Sequence, residues 1–73
     1  DKLPLEGEVA RRLTRLLRRY ASFTGPVADQ LDPPALEALG EFIGRENFED
    51  RVDLAGRLID RPVFEHLVMR FPD

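Results

Sequence analysis

Residues 9–20, VARRLTRLLRRY, constrain this chain more than any other stretch. Wound at 100° per residue, they put Val9, Leu13, Leu16, Leu17 and Tyr20 on one side of a helix. Arg11, Arg15, Arg18 and Arg19 gather on the other side, with Arg12 on the shoulder. The i, i+3, i+4, i+7 spacing is that of a helix with one dry and one wet face. The remainder of the chain has to cover those leucines.

The local signals around this helix divide the sequence further. Glu6 and Glu8 near its start and arginines in its last turn complement the helix dipole. Gly25 and Pro26 mark its end, glycine as a left-handed cap and proline as a breaker. Residues 26–31, PVADQL, allow one or two helical turns. Asp32 is an N-cap for a second helix over residues 33–43, because Pro33 and Pro34 fit a first turn whose amides have no helical partner. Gly44 ends it. Asn47 followed by Asp50 resembles a capping box for a third helix, with Phe48, Val52, Ala55, Leu58 and Ile59 as its buried arc. A fourth spans residues 62–70 and buries Val63, Phe64, Leu67 and Val68.

All six prolines fall at these boundaries. Strand signals are weak: there is no alternating run and no Asn-Gly or Asp-Gly turn. The expectation is an all-α chain, a compact bundle of four to five short helices. Residues 1–5 would be a linker or frayed N-terminus and residues 6–73 a single helical domain. At the level of architecture alone, such a bundle resembles death-fold-like adaptor domains, which implies recruitment of partners through helix faces.

A chain of 73 residues makes one domain at most. With no cysteine it can form neither a disulfide nor a thiolate metal site, which suits a reducing compartment, and a cytoplasmic location is expected. No run of about 18 apolar residues could form a transmembrane segment. The opening DKLPLEGE lacks the apolar core of a signal peptide. A start at Asp1 without an initiator Met reads as a segment of a larger protein.

The inventory is poor in catalytic chemistry. His66 and Ser22 are the single His and Ser, and no motif frames either. The acids Glu46, Glu49, Asp50 and Asp53 do not follow the spacing of a calcium loop, and neither HExxH nor Glu-x-x-His occurs. No catalytic residue, cofactor, metal or small-molecule substrate is therefore expected.

Charge supplies the remaining signal. Residues 9–28 hold five arginines and no acid, whereas residues 29–73 hold eleven acids against five arginines. The expected function is a non-catalytic protein–protein interaction module. Arg11, Arg15, Arg18 and Arg19 would form a basic contact face, and Glu49, Asp50 and Asp53 an acidic one. The partner would be another protein or a second copy docking head to tail. The alternative is non-sequence-specific nucleic-acid or phosphate binding through the arginine face. Specific DNA reading is not expected, since a recognition helix led by Glu49, Asp50 and Asp53 would meet phosphate with like charge.

Overall fold

In the computed structural model, which describes residues 1–72 apart from the side chain of Glu49, three helices pack against a small antiparallel sheet. The order is β1 (Lys2–Pro4), α1 (Gly7–Tyr20), α2 (Pro33–Arg45), a 3-10 turn (Glu49–Arg51), β2 (Val52–Asp53), β3 (Leu58–Asp60) and α3 (Arg61–Arg70). The all-α bundle of four to five helices is thereby overturned, and the death-fold-like comparison falls with it. The three strands lie in the order β1-β3-β2.

The first two helices are explained by their sequence. α1 buries Ala10, Leu13, Thr14, Leu16 and Leu17. It ends at Tyr20, well before Gly25. There Ser22 takes a left-handed φ of 58°, and the amides of Ala21 and Phe23 reach back to the Leu17 carbonyl. In α2 the Asp32 carboxylate accepts the Ala35 amide at 3.1 Å, with proline in the first turn, and Ala35, Leu39, Phe42 and Ile43 are buried. Residues 26–31, read as helical turns, form an irregular loop without helix, in which Gln30 makes an isolated antiparallel bridge with Glu6.

The predicted third helix does not form, and Asn47 explains why. It has φ 64°, its amide donates to the Gly44 carbonyl at 3.2 Å, and the next amide, of Phe48, donates to Ile43 at 3.0 Å. That is the bond pair of a Schellman motif, so Asn47 terminates α2 instead of starting a new helix. Past the 3-10 turn the chain forms a hairpin, with Val52 opposite Ile59 and Asp53 opposite Leu58. Its four-residue turn is held by the Gly56 amide on Asp53 Oδ1 (2.9 Å) and by the Arg57 amide on the Leu54 carbonyl (3.2 Å). Gly40 of α2 lets this turn approach: a Cβ there would sit 3.0 Å from Leu54 Cδ1.

The N-terminal residues read as a linker are strand β1, pairing Lys2 with Asp60, Leu3 with Ile59 and Pro4 with Leu58. Pro4 is tolerated because β1 is an edge strand. Leu5, next in line, is buried in the core with Leu31, Ile59, Val63 and Leu67. Phe71, just beyond α3, packs edge-on against Phe42 (5.0 Å) and Tyr20 (5.1 Å).

Two polar devices fix the parts of this fold that carry the candidate site. Buried Thr14 donates its hydroxyl hydrogen within α1, 2.9 Å from the Ala10 carbonyl, and accepts the Ala28 amide at 3.1 Å. It thus fastens the loop before α2 to the helix. At the far end of the sheet, Asp60 meets Lys2 Nζ at 2.6 Å and Arg51 at 3.6 Å, while Arg61 pairs with Asp1. The hydrogen bond from Lys2 holds the Asp60 carboxyl below the usual range against the opposing effect of burial, and the charges of Lys2 and Arg51 add to it.

Both devices make predictions. The Asp60 contribution is complete above about pH 4, the ordinary aspartate value, and is lost as pH falls through its lowered folded value. Asp60→Asn should lower the melting temperature at neutral pH and converge with the parent protein in strong acid; a gap independent of pH would refute the clasp. Thr14→Val strands the Ala28 amide, at about 1–3 kcal/mol. Thermal melting should fall by at least about 4 °C, and Thr14→Ser should recover most of the loss.

Candidate functional site

The arginine face of α1 is partly engaged within the domain. Arg11 pairs with Glu8, Nε to Oε1 at 3.0 Å, and reaches Asp29 at 3.9 Å. The hydrogen bond from its own guanidinium to Glu8, with the attendant charge attraction, raises its pKa further. Arg18 donates to the Gly25 carbonyl, and the Arg19 guanidinium lies 5.5 Å from the Tyr20 ring centre. Arg15 and Arg18 are exposed on the outer side of the helix. The four arginines do share one face, with Arg11 partly covered.

The acids predicted to oppose them are arranged differently from the expectation. Without a third helix there is no helical face to present them. Asp50 is exposed on the 3-10 turn, Asp53 is exposed but holds the hairpin turn through Gly56, and the side chain of Glu49 lies outside the described residues.

A second location was not anticipated. Leu5, Glu6, Gln30 and Arg57 line an open cleft of about 260 Å³. Its walls come from three separate parts of the chain: the corner between β1 and α1, the loop before α2, and the hairpin turn. Backbone bonds tie them together. Leu5 N–H donates to the Arg57 carbonyl and Gly7 N–H to the Asp29 carbonyl, both at 2.9 Å, and Glu6 is bridged to Gln30. Gly7 takes φ 62° to make that corner, a conformation that favours glycine.

Arg57 also has a positive φ, 57°, at the last position of the hairpin turn. Its guanidinium donates to the Leu31 carbonyl at 2.8 Å, which anchors it while leaving other N–H groups of the fork. Among the described residues, no carboxylate stands in ion-pair range of Arg57 and no cation stands in range of Glu6. The cleft therefore carries a cation, an anion and an amide on a fixed backbone. A smaller apolar hollow of about 50 Å³ lies between α2 and the hairpin, lined by Gly40, Ile43, Val52 and Leu54.

The residues weighed for catalysis do not meet. Ser22 sits in the turn after α1, and His66 packs edge-on against Phe48 at 5.3 Å. Among the described residues, no group of three or more His, Asp or Glu is placed to hold a metal ion. Among them, too, no helix is long and apolar enough to cross a membrane.

Sequence reasoning missed Arg57, Gln30 and Glu6 because the cleft has no local motif. The available signal was Asp53 three residues before Gly56, which is the spacing of a side-chain-capped turn.

No curated protein and no solved structure matches the chain. The family model described as "Putative peptidoglycan binding domain" matches residues 1–67, which run from β1 into α3 and include all the residues lining the cleft, and the chain belongs to that family.

Proposed function

We propose that this domain binds peptidoglycan through the cleft lined by Leu5, Glu6, Gln30 and Arg57. The observation that carries the reading is the combination of unneutralised Arg57 and Glu6 with backbone walls already bonded in place. Peptidoglycan is a hydrated polymer whose amides, hydroxyls and carboxylates need hydrogen-bond partners, with a cation for the carboxylates. A pre-tied cleft offers those partners with little ordering cost on binding.

In this reading the domain is one segment of a larger protein and its task is attachment, the chemistry being done elsewhere. The polymer lies outside the cytoplasmic membrane, so the reading replaces the cytoplasmic location expected from composition. A single site of this size binds modestly, and a repeating polymer compensates by offering many equivalent sites.

A second reading keeps the charge asymmetry. The exposure of Arg15 and Arg18 on the outer side of α1 favours a protein partner with an acidic surface. The two readings use different faces and separate by mutation.

Purified cell-wall sacculi should co-sediment the domain, and soluble fragments of the same wall should release it; no retention at low salt would remove the peptidoglycan reading. The double reversal Arg15→Glu/Arg18→Glu should leave that retention within about twofold while helicity is unchanged. Loss of retention in this variant, with the fold intact, would transfer the contact from the cleft to α1.

A further inference from the structure

We infer that the cleft takes the peptide stem of the polymer and not its sugar rings, with Arg57 receiving a carboxylate and Glu6 an ammonium group. This rests on the peptidoglycan reading and narrows it to one chemical class, a short peptide with free acid and amine groups.

The lining decides between stem and glycan. The apolar faces of sugar rings are commonly held against aromatic side chains, and the cleft contains none. The aromatic rings have other roles: Tyr20 and Phe42 each pack on Phe71, Phe48 packs on His66, and Phe64 packs against the core. Phe23 lies against Gly25. The cleft instead supplies one guanidinium, one carboxylate, one primary amide and one aliphatic side chain. That set matches a peptide backbone flanked by opposite charges, with Gln30 able to donate to and accept from an amide.

The cations nearby point to Arg57 as the acid-binding group. Arg11 is held by Glu8 and reaches Asp29, the neighbour of Gln30 in the chain. Arg57 is fixed by a neutral carbonyl, so its charge is not cancelled by that anchor. A planar guanidinium held in this way can receive a carboxylate through two parallel hydrogen bonds. Glu6, the residue preceding α1, makes no side-chain capping bond to the helix, which leaves its carboxylate for a cation. The volume of about 260 Å³ is small for a ligand pocket and suits one or two residues of a peptide.

Competition against retention on sacculi tests the inference with three soluble probes. These are the sugar-free stem peptide, the same peptide with its carboxylates amidated, and peptide-free glycan oligosaccharides. The stem peptide should release the domain and the glycan should not. Amidation should weaken the peptide about tenfold or more in the parent protein, the loss of one charge-assisted contact. In Arg57→Gln the acid and amide forms should compete equally, and Glu6→Gln should remove the corresponding preference for a free over an acetylated amine.

Release by glycan but not by peptide would overturn the inference while leaving peptidoglycan binding standing. Equal competition by acid and amide forms in the parent protein would overturn it as well, whether or not Arg57→Gln folds. Absence of any retention on sacculi would remove both readings together.

Discussion

Strand β3 is the constraint on which the rest of this domain depends. It is only three residues long, yet it pairs with β1 on one side and β2 on the other, and Ile59 at its centre has no solvent exposure. An isolated two-stranded ribbon of this length would be marginal in water. Adding β1 satisfies the other edge of β3 and brings Leu5 into the core. The N-terminal segment is therefore part of the fold, and the cleft exists because β1 delivers Leu5 and Glu6 beside the hairpin turn.

How much of this was legible depended on the range over which each element is determined. α1 and α2 were readable because their apolar spacing is local, as is the Asp32 cap that accepts the Ala35 amide, whereas their C-terminal ends, read at Gly25 and Gly44, fall at Tyr20 and Arg45. Residues 47–60 were not, for two physical reasons. Asn favours both an N-cap and a left-handed C-terminal position, and the choice made by Asn47 is fixed by the Gly44 and Ile43 carbonyls before it. Strands of two or three residues are also too short to display an alternating period, so Val52, Leu58 and Ile59 fit a helical arc by chance. Tertiary pairing settled what local preference left open.

The site divides in the same way. The arginine stripe was visible because a helix places residues three and four apart on one side. The structure shows part of that stripe answering local demands, with Arg11 on Glu8 and Arg18 on the Gly25 carbonyl. The cleft gathers residues 5, 6, 30 and 57, distant in sequence and unexceptional singly. Its one local trace is the turn in which Asp53 caps Gly56 and Arg57 takes a positive φ. Charge counting detects a face, but a concave site needs the topology first.

Thr14 connects the interior of the domain to that site. A buried hydroxyl is costly unless both its donor and acceptor capacities are used, and here both are. The bond it accepts from Ala28 holds a loop that would otherwise have few regular backbone partners, and the next two residues meet α1 through the Asp29 carbonyl and the Gln30 bridge. Gln30 therefore reaches the cleft on a loop fixed from two sides, and Arg57 reaches it on a capped turn anchored to the Leu31 carbonyl. In a domain with little core to draw on, rigidity at the cleft comes from backbone bonds between neighbouring loops. Walls tied in this way are ordered before any ligand arrives, so little ordering cost would fall on a binding step.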